Sequence, residues 1–202
     1  MKNNTCIAIG ILIGVSVLII SGWFSSSDLA KAATDTLGLS ADISTSVTCS
    51  TEPGQTGFET LTTAAVFTAT STATTTMSCN IAAGCTLYVK DAGQGAGQPG
   101  LYSSSAGDLI DSAQAALSAS TEGYGIQAAT TSAGTGVELL IDAAYKYTGD
   151  NVGGLTTGNL AITSSDDPVS GKLTIVTYKA AISGLNKAGN YVDTVTFECT
   201  TN

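Results

Sequence analysis

The sequence contains no histidine, and its seven basic residues are all lysines, so it has no arginine either. Without histidine, Ser-His-Asp and Cys-His catalytic arrangements are excluded, and the side chain most used as a general base near neutral pH is missing. The same absence reduces any zinc site to cysteines alone. Without arginine, and with a net charge of −9, the chain has no clustered cations to displace counterions from a phosphate backbone, so nucleic acid is not an expected partner. Charged residues make up only 11% of the chain, which leaves few candidates for acid–base chemistry.

What is present begins with an export signal. Met1-Lys2 supplies a short positive region, Ile7 to Ile20 an unbroken run of apolar or small residues, and Ala30-Lys31-Ala32 a small-x-small site. Cleavage before Ala33 gives residues 1–32 as a signal helix and 33–202 as a single mature domain, a length sufficient to enclose a core. The rival reading is an uncleaved anchor extended through Trp23 and Phe24; Ser21, Gly22 and Ser25-Ser26-Ser27-Asp28 speak against it. Such an anchor is the only membrane connection expected. With Lys2, Lys31 and Asp28 removed, five lysines face fifteen carboxylates, a formal net charge of −10. The expected location is the cell surface or the medium.

Cys6 lies in the signal, leaving Cys49, Cys79, Cys85 and Cys199, an even number in an exported chain. Export permits disulfides, so two are expected rather than a metal site. Alternation places Cys49 with Ile43 and Val47, Cys79 with Met77 and Ile81, Cys85 with Leu87 and Val89, and Cys199 with Val195 and Phe197. All four cysteines therefore point toward the core. Three pairings are open on this basis; one joins Cys49 to Cys199 and closes a local Cys79–Cys85 bond.

Thr, Val, Ile and Tyr alternate with polar residues between Gly-, Asn-, Asp- and Ser-rich breaks. Strands are predicted over 42–50, 64–69, 74–80, 85–90, 125–129, 136–141, 160–164, 172–181 and 191–200. This implies an all-β, antiparallel β-sandwich. One stretch, Asp108 to Ser118, has the alanine content and apolar spacing of a short helix.

The pattern Ala188-Gly189-Asn190-Tyr191-Val192-Asp193-Thr194-Val195-Thr196 resembles the closing strand of spore coat protein U-like and pilin-like secreted domains. Cys49 followed by Gly57-Phe58-Glu59, then Met77-Ser78-Cys79 leading to Leu87-Tyr88-Val89, agree in order with that resemblance. Thr121 to Gln127 is also similar to uncharacterised exported β proteins of small-genome bacteria. The resemblance implies an immunoglobulin-like or pilin-like sandwich, a Cys49–Cys79 bond leaving Cys85 with Cys199, and assembly by adding a strand to a neighbour's sheet. Residues 34–44 suit a donated strand, with Leu37, Leu39 and Ile43 at every-second spacing. The plainer reading makes those residues the domain's own first strand.

No catalytic, cofactor-binding or metal residues are expected. Asp108 with Asp111, and Asp166 with Asp167, are near pairs that read as solvated loop carboxylates. Asp91 to Gly97 is glycine-rich but lacks the G-K-[ST] of a phosphate loop, and Asp150, Asn151, Asp166 and Asp167 do not form a calcium loop. Tyr145 and Tyr147, two residues apart and so able to share one face of an extended segment, are candidates for a glycan-stacking face. The expected function is a non-enzymatic surface, coat or fibre subunit that binds itself or other surface proteins. The alternative is an extracellular adhesin or glycan-binding module.

Overall fold

Period-two alternation governs the strands that form. In Ala73–Cys79 every second residue is buried (Ala73, Thr75, Met77, Cys79), and in Val169–Ala181 the buried series is Lys172, Thr174, Val176, Tyr178 and Ala180. The computed structural model describes residues 38–95 and 97–202; the expected signal helix and Leu37 lie outside the described residues. Within them the order is β1 (Val47–Glu52), β2 (Phe67–Thr68), β3 (Ala73–Cys79), β4 (Cys85–Asp91), β5 (Gly100–Ser103), β6 (Asp108–Asp111) and β7 (Ala115–Ala116). Then follow β8 (Gly123–Thr130), β9 (Thr135–Gly136), β10 (Leu140–Ile141), β11 (Asn151–Val152), β12 (Leu160–Ser164), β13 (Val169–Ala181) and β14 (Val195–Thr201).

The strands make an all-β, antiparallel arrangement of two main sheets. In the first, β13 is the spine: β3 and then β2 pair along one edge, β9 and β8 along the other, and β1 lies outside β3. The second runs β10-β12-β4-β14. Between them lies one core, with Met77 and Val176 from the first sheet and Leu87, Val89 and Ile162 from the second all fully buried. The Thr163 and Thr174 hydroxyls meet 2.8 Å apart across this core, which satisfies two buried polar groups without water.

Both disulfides join one sheet to the other. Cys49 on β1 bonds Cys199 on β14, with Cα atoms 5.7 Å apart, and Cys79 at the end of β3 bonds Cys85 at the start of β4, with Cα atoms 6.5 Å apart. The pairing implied by the resemblance, Cys49 with Cys79, is thereby corrected. β1 and β3 are neighbours in one sheet, where Cys49 stands opposite Met77 and Cys79 opposite Val47, so neither cysteine faces the other directly. Each finds its partner on the other sheet instead. Two disulfides of this kind belong to an oxidising, extracytoplasmic environment.

Two sequence expectations are overturned. Asp108 to Ser118 forms no helix: Asp108–Asp111 pairs with β5, and Ala115–Ala116 pairs with β11. Cross-strand pairing supplies the hydrogen bonds that an eleven-residue helix, marginal on its own, would have had to supply locally. The first strand begins at Val47 rather than Asp42, and residues 38–46 form no strand. The described part of 34–44 is therefore not the domain's own first strand.

One core position on β13 is occupied by a charge. Lys172 is 2% exposed, and its ammonium donates to Glu138 Oε1 at 2.8 Å, with Glu138 itself largely exposed. Only the lysine end of this pair is buried, so an apolar residue of similar volume in its place leaves Glu138 solvated by water, whereas removing Glu138 strands a buried ammonium. Lys172→Met is expected to stay within about 1 kcal/mol of the wild type or exceed it. Glu138→Ala is expected to lose about 1–3 kcal/mol. Thermal unfolding of the two variants side by side checks the ordering; a large loss in Lys172→Met would contradict it.

Candidate functional site

Alternation in the last strand runs further than the strand itself. Tyr191, Asp193, Val195, Phe197 and Cys199 share one parity, and all are at least half-buried while Val192, Thr194, Thr196 and Glu198 are exposed. The chain from Asn186 to Phe197, with the inward Tyr191, Asp193, Val195 and Phe197, forms one wall of a groove of about 1380 Å³. The opposite wall is the chain leaving β1, from Thr51 through Phe58 to Leu61. The floor includes Ile110, Tyr124 and Tyr178.

The groove exists because β1 and β14 are the edge strands of different sheets, pinned together at Cys49–Cys199 and unpaired with each other beyond it. Among the described residues, β14 pairs only with β4 and β1 only with β3, so each has a free backbone edge beside the opening. Phe58 meets the Tyr124 ring edge-on at 6.4 Å, and Tyr124 stacks on Tyr178 at 6.4 Å, giving an aromatic floor.

Polar contacts hold both walls. Thr56 Oγ1 donates to Ser71 O at 2.6 Å, and Thr70 N donates to Gly57 O at 2.8 Å, fixing the 53–61 side. On the other side Asp108 Oδ2 accepts from the Tyr191 hydroxyl and from Lys187 N at 2.9 Å, and Asn186 donates to Glu122 Oε2 at 2.6 Å. The Tyr191 hydroxyl bond, followed by the Lys187 backbone bond, holds the Asp108 carboxyl below its ordinary pKa. Burial and the neighbouring Asp108 push Tyr191 up to about 12.

The deepest polar feature is a pair of carboxyls. Asp91, 2% exposed at the end of β4, is satisfied by two backbone donors, Gly93 N at 2.6 Å and Gly100 N at 2.8 Å. Asp193 Oδ2 accepts from the Tyr124 hydroxyl at 3.0 Å, while Asp193 Oδ1 is buried with no hydrogen-bond partner. Burial, and then the charge of Asp91, raise Asp193 to about 7. Burial pushes the Tyr124 hydroxyl well above its usual value, so it serves as a donor.

The sequence-predicted residues fall elsewhere. Tyr145 is 3% exposed, inside the core, and its hydroxyl donates to Gly154 O at 3.1 Å. Tyr147 is half-buried and accepts from Gln114 at 2.6 Å; neither residue lies on a strand. The expected exposed pair is therefore corrected: these tyrosines close the surface rather than present a stacking face. Asp111, Asp166 and Asp167 are exposed, Asp150 pairs with Lys179 at 3.0 Å, and only Asp108 joins the groove. Among the described residues no three His, Cys, Asp or Glu side chains converge as metal ligands. Leu39 and Ile43 are 90% and 87% exposed.

Asp91, Asp193, Tyr124 and Phe58 were not singled out from the sequence as site residues. The available signal was a carboxylate, Asp193, on the inward parity of an otherwise apolar series. Comparison of the chain with protein-family models, with curated proteins and with solved structures finds no match.

Proposed function

We propose that this protein is an exported, non-enzymatic subunit of a surface layer, coat or fibre, and that copies join by strand donation. Residues 34–44 of one copy would lie along the free edge of β14 in the groove of the next. The observation that carries this reading is an alternating apolar segment, Leu39 and Ile43 both exposed, that forms no strand in its described part. Exposed apolar side chains at strand spacing ahead of a folded domain fit a partner groove better than solvent.

Dimensions agree. Eleven residues in extended form reach about 36 Å, while the seven-residue β14 spans roughly 23 Å. Main-chain hydrogen bonds to the β14 edge would supply affinity, and the aromatic floor would take the inward side chains. The two inter-sheet disulfides suit a subunit that must hold its shape outside the cell. The glycan-binding alternative loses its sequence-predicted face with the burial of Tyr145.

The test compares the chain from Ala33 with one starting at Ser44, by size-exclusion chromatography and negative-stain microscopy. Filaments or large oligomers are expected in the first and folded monomers in the second. Two equally monomeric, folded samples would discard strand donation and turn attention to free ligands for the groove.

A further inference from the structure

The 186–195 wall is tied at its ends to Asp108 and Glu122 and along its length to Tyr102 by two backbone hydrogen bonds; its hydrogen bond to the aromatic floor is Tyr124–Asp193, and that bond carries a charge problem. If Asp193 is ionised, its buried Oδ1 is a charged acceptor without a donor, facing a second carboxyl. Asp91 cannot turn away, because Gly93 N and Gly100 N hold both of its oxygens. The titratable groups facing Asp193 are Asp91 from β4, Tyr124 from β8 and Tyr178 from β13. Among the described residues the side-chain ion pairs of lysine are Lys172–Glu138 and Lys179–Asp150, and Lys187 Nζ donates to the carbonyls of Ala106 and Gly107. Among the described residues no lysine forms an ion pair with either carboxyl of the pair.

We propose that Asp193 is a protonation switch of the groove. With the proton on, the carboxyl still accepts from Tyr124 through Oδ2, the charge opposing Asp91 is gone, and the 186–195 wall stays packed on the aromatic floor. With the proton off, the uncompensated carboxylate draws water in and loosens the packing around Asp193 on the aromatic floor, while the Tyr102 and Asp108 contacts keep the rest of the wall in place. An apolar strand seated in the groove would strip the remaining water from Asp193 and so favour the protonated form further. Assembly is then linked to proton uptake and is stronger in acid than in mild alkali. This last step rests on the strand-donation reading; the switch itself does not.

The sign follows from linkage. Asp193 sits near 7 in the folded protein against an ordinary 3.8, so the folded state holds a proton that the unfolded state has released over that window. Its contribution is fully present below about pH 4 and is lost as pH rises through about 7. Asp108, lowered in the folded state, acts in the opposite sense and only in stronger acid, as pH falls below its ordinary range.

The experiment follows the Asp193 carboxyl by 13C NMR in the full oxidised protein between pH 3 and 9, beside thermal unfolding of the wild type and Asp193→Asn. A carboxyl midpoint near 7, with a fall in unfolding temperature from pH 4 to 7 that Asp193→Asn flattens, is expected. A midpoint near 4 overturns the switch, whatever the variant's fold. Sedimentation of assembled material across the same range reads the linkage separately, with strand affinity expected to fall by up to about tenfold per pH unit above the midpoint. A midpoint near 7 with pH-independent assembly removes the linkage and keeps the switch. Absence of assembly at every pH counts against strand donation, while the NMR midpoint still decides the switch.

Discussion

Replacing Cys49 and Cys199 together by serine is expected to lower the unfolding free energy by about 5 kcal/mol, measured by urea denaturation under oxidising conditions. The bond spans a sequence separation of 150, so in the unfolded chain it forbids a very large set of conformations. Total stabilities of domains are about 5–15 kcal/mol, so its loss brings the fold to the edge of unfolding. The Cys79–Cys85 bond spans only 6 residues, and its removal by the same substitutions is expected to cost about 2 kcal/mol. The two double variants thus separate the role of loop size from that of joining the sheets, since both bonds do the latter. Equal losses would show that inter-sheet strain or packing, rather than chain entropy, sets the contribution.

The second large effect is expected at Gly84, where the chain turns from β3 into β4. Its φ is +75°, and a Cβ there would lie 2.0 Å from the backbone oxygen of Ser165. The obstruction is backbone, held by Ser165 N donating to Cys85 O at 2.8 Å and by Cys85 N donating to Ser165 Oγ at 3.1 Å. An alanine therefore adds left-handed strain of about 1–2 kcal/mol to overpacking of a further 1–3. A loss of about 3 kcal/mol in Gly84→Ala is expected. Gly107 has a similar φ of +59° with nothing within 4 Å of its added Cβ, so Gly107→Ala isolates the strain term at about 1 kcal/mol. Matching losses in the two variants would rule out the contact with Ser165 as the cause.

The long strands were legible because burial on one face writes itself into every second residue. β3, β4, β12 and β13 appear within a few residues of where alternation puts them, and Cys79, Cys85 and Cys199 point inward as expected, whereas Cys49, on the edge strand β1, is exposed rather than in the core. Parity does not say which sheet a strand enters, and the disulfide pairing depends on that choice. The stretch around Asp108–Asp111 was misread because four residues are too few to display a period. Its alanines favour a helix locally, but pairing with Gly100–Ser103 and the tie from Asp108 to Tyr191 decide the matter at long range. The groove was hidden for the same reason: Phe58, Tyr124 and Asp193 are far apart in the chain and meet only through the arrangement of the two sheets.

The Cys49–Cys199 bond also sets the path that mechanical tension takes. A pull on the chain ahead of Cys49 and beyond Cys199 crosses from β1 to β14 through the sulfur atoms, over a Cα separation of 5.7 Å. The covalent loop of residues 50–198 is bypassed, so tension entering ahead of Cys49 reaches β14, the strand whose free edge would hold a neighbour's segment, without stretching that loop. A subunit strung between neighbours would behave as a short, nearly inextensible link. Reduction of this one bond would put the whole loop in series, releasing about 500 Å of chain on full extension.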